Sequence, residues 1–152
     1  MVSLDFSVIT PYFPMFLKAA GITLKVGIGA FILAAAIAII IGTLRTKRLP
    51  KVIKFLLVVY VEFFRGTPLL IQLFLVYYGL PSFGIKVPAM AASIITIGIN
   101  SGAYLSEAVR ASILSIDKGQ YEAAAVLGYN SIQTTVHIIL PQALRIVVPS
   151  FM

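Results

Sequence analysis

Hydrophobic positions in this chain fall in long unbroken runs, not in the alternation of a strand or the single stripe of an amphipathic helix. From Val26 to Leu44 the sequence VGIGAFILAAAIAIIIGTL carries no charge. About 19 such residues make roughly 28 Å of helix, enough to cross a hydrocarbon core of about 30 Å. Ala34 and Ala36 form an A-x-A of the kind found at signal-peptide cleavage sites. The apolar run continues well past them, so a retained span over about 23–44 is expected. A second apolar stretch, 55–80, contains Glu62, Arg65, Gly66 and Pro68. Pro68 cannot donate to the carbonyl of Phe64, and Gly66 weakens the helix just before it. One long bent helix is expected there. If the helix instead breaks, Lys51 to Phe63 would be an interfacial helix, and the remainder would be short for a bilayer.

Pro81-Ser82-Phe83-Gly84-Ile85-Lys86-Val87-Pro88 reads as a turn. A third span follows over 89–105. It is rich in small residues, and Gly98 and Gly102 form a G-x-x-x-G that lets another helix approach closely, a face assigned to packing between subunits. From 106 to 145 the pattern turns polar, and no window is apolar enough to span. Such a long loop is usually functional. Asp117 with Gln120 resembles a capping box opening a helix over Lys118 to Leu127, with Gly128 suited to the left-handed position that closes it. Asn130 with Gln133 repeats the signature for a second helix, expected to end before Pro141. The apolar stretch from 146 to Met152 reads as the start of a truncated fourth span.

Composition places these runs in lipid. Of 152 residues, 60% are hydrophobic and 11% charged, with a mean hydropathy of +1.03. No soluble core of this length hides that much apolar surface. A soluble enzyme, a disordered chain and a disulfide scaffold are excluded; cysteine is absent. The net charge of +7 is better read as membrane orientation than as nucleic-acid affinity. Arg45, Lys47, Arg48, Lys51 and Lys54 crowd between the first two apolar runs with no acid among them. Lys- and Arg-rich short loops stay in the cytoplasm, so residues 1–20 and the N-terminus are expected outside and the 106–145 loop inside. The fold class is therefore all-α, a polytopic helical membrane protein with three complete spans, a cytoplasmic loop and the start of a fourth span. Tyr77 and Tyr78 suit an interfacial aromatic belt. His137 has no companions that would make a metal site, and no phosphate-binding glycine loop is present, so no metal, cofactor or catalytic residue is assigned to this chain.

The loop carries Glu122-Ala123-Ala124, three residues, Gly128, nine residues, Ile138, one residue, then Leu140-Pro141. This spacing resembles the EAA motif, E-A-A-x3-G-x9-I-x-L-P, of the permease subunits of binding-protein-dependent ABC importers. Two further blocks resemble the polar amino acid permeases of that family. One runs from Glu62 through Arg65, Gly66, Thr67 and Pro68 to Gln72; the other is Asn100-Ser101-Gly102-Ala103-Tyr104 with Glu107 and Arg110. The likeness reaches from about Gly21 to the end of the chain. Family members usually carry two further spans.

The resemblance implies a subunit of an importer of polar amino acids in the inner membrane of a prokaryote. The EAA loop would act as a coupling helix docked on an ABC ATPase subunit, which binds ATP and Mg. A second permease subunit would complete the pathway, and an extracytoplasmic solute-binding protein would deliver the amino acid. Glu122, Ala123, Ala124, Gly128, Ile138, Leu140 and Pro141 would carry the coupling. Glu62, Arg65, Gly66, Thr67, Pro68 and Asn100 would line the translocation path or its gate. Glu62 and Arg65 share a helix face and could pair with one another, lowering the cost of burying charge in lipid. Gln72 would bond to a neighbouring helix. Two alternatives stand: an ion-coupled transporter or channel fragment, which leaves the EAA spacing unexplained, and a membrane assembly protein without a transport role.

Overall fold

The computed structural model describes residues 10–148. A short 3-10 turn, Thr10–Tyr12, leads into helix α1, Phe13–Leu44. Helix α2 is Lys51–Gly66. Helix α3, Leu69–Phe74, continues through a π-helical turn Leu75–Gly79 and a 3-10 turn Leu80–Phe83. Helix α4 is Ala89–Leu114 and α5 is Lys118–Val126. Helix α6 (131–147) is one continuous rod in three parts: Ser131–Gln133, a π-helical stretch Thr134–Ile139, and Leu140–Val147. No strand occurs among the described residues.

Two of these helices, α1 and α4, are each long and apolar enough to cross a membrane. With 32 residues, α1 is about 48 Å long and starts at Phe13, ten residues before the expected span. Pro14 sits in its first turn, where a missing N–H costs nothing. Helix α4 outlasts the expected third span by nine residues, so Glu107 and Arg110 stand on a helix and not in the loop. The expected single bent helix over 55–80 is replaced by a break. The α2 and α3 segments meet at Thr67-Pro68 with a bend of 104°, and they count as a third crossing only if taken together. Thr67 and Pro68 are both extended, as the residue before a proline and the proline itself favour.

Helices α1 and α4 pack face to face through small residues. Ala30, Ala34, Ala38 and Gly42 recur every fourth position on α1, and all are buried. Against them lie Gly98 and Gly102 of α4. A Cβ at Gly98 would come within 2.7 Å of Leu33, and one at Gly102 within 2.8 Å of Ile37. The G-x-x-x-G expected to join subunits is therefore filled within the chain. Close backbone approach replaces the hydrophobic drive that lipid removes.

The core lies toward the ends of these helices that carry the loop. Ala38, Val109, Ile113, Ile116, Ile139, Ala143 and Val147 pack together, which seats α6 on α4 and α1. Elsewhere α1 leaves Leu24, Ile28, Phe31 and Ile32 exposed, as suits a helix apolar all round.

Candidate functional site

Two regions hold the residues singled out in the sequence: the loop from α5 into α6, and the elbow where α2 meets α3.

In the loop, Asp117 caps α5 by accepting a hydrogen bond from the Gly119 amide at 2.7 Å. The expected reciprocal bond from Gln120 is not made; its side-chain oxygen instead accepts from Gln142 Nε2 at 3.1 Å, tying α5 to α6. Gly119 matters to the cap, since a Cβ there would sit 2.8 Å from Asp117 Oδ1. Replacing Asp117 with Ala should therefore loosen the first turn by about 1 kcal/mol, read as faster amide exchange at Gly119. Unchanged exchange would show that the cap does not hold the turn.

Helix α5 ends as its sequence predicts. Gly128 has φ +80°, the left-handed position. Its amide donates to Ala125 O at 3.0 Å and the Tyr129 amide to Ala124 O at 3.0 Å, the pair of bonds that defines a Schellman turn. Asn130 then opens α6 with a complete capping box: its side chain accepts from the Ile132 and Gln133 amides, and Gln133 Oε1 accepts from the Asn130 amide. Every bond in the turn is local, so the corner is stiff.

Helix α6 does not end before Pro141. The Leu140 amide reaches back five residues to Thr135 O, opening the helix into its π-helical stretch just ahead of the proline. Pro141, in the first turn of the α-helical part that follows, forfeits an N–H that a widened helix can spare.

Of the motif residues, Glu122, Ala123 and Gly128 are exposed, Ala124 is buried, and Ile138 packs against the core. Beside them stand three side chains that motif reading passed over. Val126 is 87% exposed, Leu127 72% and Ile132 76%. Their signal was available: large apolar residues flanking a turn glycine in a polar loop.

Charged contacts anchor the loop end of the bundle. Glu107 is shared by Arg45 and Arg110; Arg110 Nε donates to Glu107 Oε1 at 2.8 Å, and Arg45 Nη1 donates to Oε2. Lys47 donates to the Thr135 hydroxyl, linking the segment after α1 to α6. A cleft of about 230 Å³ opens beside it, lined by Lys47, Tyr121, Tyr129, Ser131 and Thr134. Burial pushes the Tyr121 phenol above its ordinary pKa, so it stays protonated at neutral pH. Two of the basic residues read as a topology signal thus also hold helices together.

At the elbow, Glu62 and Arg65 are both exposed, and no ion pair joins them among the described residues. Arg65 instead lies over the Tyr104 ring, 5.4 Å from its centre. The Tyr104 hydroxyl donates to Arg65 O at 3.0 Å. Asn100 is buried, and its amide is spent on the break: Nδ2 donates to Phe64 O at 2.8 Å and to Gln72 Oε1 at 3.2 Å. Gln72 Nε2 donates to Phe64 O and Thr67 O, each at 3.1 Å, and to Thr67 Oγ1 at 2.6 Å. Asn100, expected to face the path, is thus turned onto backbone; Gln72 bonds across to α4 as expected. Gly66 has open space where a Cβ would stand, so packing within this chain does not require a glycine there. Among the described residues no cluster of His, Cys, Asp or Glu could hold a metal ion. His137 is exposed, with Nδ1 3.1 Å from Gln133 O.

Residues 34–152 match the family described as the inner membrane component of binding-protein-dependent transport systems. The chain is 38% identical over 151 residues to a probable amino-acid ABC transporter permease protein, PatM, of Vibrio harveyi, covering 97% of this chain and 67% of that protein. It is 39% identical over 127 residues to the L-cystine transport system permease protein TcyB of Bacillus subtilis (strain 168), covering 84% of this chain and 54% of that one. A crystal structure of an amino acid ABC transporter with histidines superposes with a TM-score of 0.82 at 36% identity, covering 98% of this chain and 69% of that chain. The chain thus spans about half to two thirds of the length of these relatives. With its paired apolar helices, its Schellman-turned loop and this likeness along nearly its whole length, the chain belongs to the family of binding-protein-dependent transport system inner membrane components.

Proposed function

We propose that this chain is the permease subunit of an ABC importer that carries polar amino acids across the inner membrane of a prokaryote. It binds no cofactor itself; ATP is bound and hydrolysed in a partner ATPase. The α5–α6 corner is the coupling element, and the basic cluster around Lys47 places that corner in the cytoplasm. One observation carries this reading most directly. The corner is rigid in its own hydrogen bonds, exposes Val126, Leu127 and Ile132 at its tip, and is rooted in the core through Ile139, Ala143 and Val147. A push on the tip therefore reaches α4 and α1 as a movement of a body and not as a local dent.

The elbow supplies the solute side of the reading. Glu62 and Arg65 present both charge signs beside the break, which suits a zwitterion. A second permease subunit lines the rest of the path, and an extracytoplasmic binding protein delivers solute near Pro81–Pro88. The relatives named as amino-acid and L-cystine permeases support this substrate class.

The test is a crosslink. The sequence holds no cysteine, so single cysteines at Val126, Leu127 and Ile132 are unique handles. In membranes containing the ATPase encoded with this chain, each should be trapped by a cysteine on that subunit, and each should react with a thiol reagent only from the cytoplasmic side. Absence of any trapped ATPase, or labelling from the opposite side, overturns the assignment and leaves an ion-gradient transporter as the better reading.

A further inference from the structure

Pro68 removes one amide from the ladder of α2, and the bend removes others. In a membrane-spanning element each orphaned carbonyl must find a donor inside the protein. At this elbow side chains supply them. Phe63 O accepts from the Thr67 hydroxyl at 2.8 Å. Phe64 O accepts from Asn100 and Gln72, Arg65 O from Tyr104, and Thr67 O from Gln72. The donors come from three places: the break itself, α3, and one face of α4, where Asn100 and Tyr104 are four residues apart. Tyr60 completes the attachment by donating to Ile99 O at 2.7 Å. Gln72 and Asn100 are both buried, and they are bonded to one another as well as to the break.

We propose that Asn100 and Gln72 form a positioning pair that holds the α2–α3 elbow at its angle, and that the proline permits the bend but does not set it. A proline alone leaves a kinked helix free to adopt a range of angles. Two amides donating to Phe64 O from outside α2 occupy the acceptor that a straight helix would need at position 68. While they are in place, a backbone amide at 68 has nothing to gain by closing the ladder. Only the identification of the elbow as a wall of the solute path rests on the function proposed above; the angle itself can be read without transport.

The experiment uses spin labels at Phe55→Cys and Leu75→Cys, both at exposed positions, in the full chain in lipid nanodiscs. At the observed bend the two backbone positions lie about 19 Å apart, and in a straight helix they would lie about 30 Å apart. Pro68→Ala alone should keep the short distance, because the amide pair still holds Phe64 O. Gln72→Leu and Asn100→Leu, each in the native Pro68 background, should broaden the distribution. Asn100→Leu combined with Pro68→Ala should move the population to the long distance, while restoring a donor for Phe64 O and so protecting insertion. A long distance in Pro68→Ala alone overturns the proposal, as does a short, sharp distance in the double variant. If the double variant straightens yet uptake of amino acid persists, the positioning role stands and the path assignment of the elbow falls.

Discussion

Gly42→Leu should remove the protein from the membrane. A Cβ at Gly42 would lie 2.7 Å from Ser106 O and 2.8 Å from Val109 Cβ. The first is a backbone atom and the second sits at the root of its side chain, so neither can turn away. Ser106 and Val109 are fully buried on α4, at the edge of the core that seats α6. Overpacking by even a few atoms typically costs 1–3 kcal/mol, and a leucine adds four carbons where none fits. The helices would have to part along the whole small-residue face from Ala30 to Gly42. The expected result is at least a tenfold fall in accumulated protein and early unfolding in detergent. Gly21→Ala is the control: nothing lies within 4 Å of its Cβ, and alanine favours the helix by up to about 1 kcal/mol. It should leave accumulation unchanged or higher. Normal levels of the Gly42→Leu protein would show that α1 and α4 do not meet as described.

Gly128→Asp should leave insertion intact and cut transport about tenfold or more. Two effects add at this position. The φ of +80° costs an ordinary residue about 1–2 kcal/mol, which opens the Schellman turn. A carboxylate would also stand between Leu127 and Tyr129 on the tip proposed to enter a partner. Nothing within this chain crowds the site, so the folded body itself has no reason to reject the change. Gly128→Asn separates the two effects, because asparagine tolerates the left-handed conformation and adds no charge. It should keep a larger share of transport. In proteoliposomes holding the complete importer, the aspartate variant should hydrolyse ATP with little import. Wild-type uptake by that variant would falsify the coupling role of the corner.

The sequence made some of this legible and hid the rest for identifiable reasons. Local chemistry read well. Gly128, Asn130 with Gln133, and the break at Gly66 to Pro68 are set by neighbours within a few residues, and the turn, the capping box and the broken ladder all formed there. Lengths read less well. Charged residues near a helix end do not stop a helix; Lys18 and Lys25 lie within α1, and Glu107 and Arg110 within α4. Proline misled once, because a π-helical stretch let α6 continue through Pro141.

Partners at a distance were the least legible. The i, i+3 spacing of Glu62 and Arg65 suggested a pair, but Tyr104, far along the chain, took the arginine. Asn100 looked like a solute ligand until the orphaned carbonyl of Phe64 was brought against it. The G-x-x-x-G of α4 announced a close approach without naming the helix that makes it. The EAA spacing gave the family, and the exposed apolar tip became visible only when the corner was folded.

The widened turns of α6 have one further consequence. Over Thr134–Ile139 the rod winds more slowly than the α-helix on either side. The count from Gly128 to Pro141 is thus matched to a slower winding. Deleting a single residue there would tighten the bore and rotate all that follows by about 100°. Ile139, Ala143 and Val147 would swing toward water, and the tip would lose its root though every one of its own contacts survived. Length in this stretch works as a phase setting, so that the loop is tuned by how many residues it contains as much as by which.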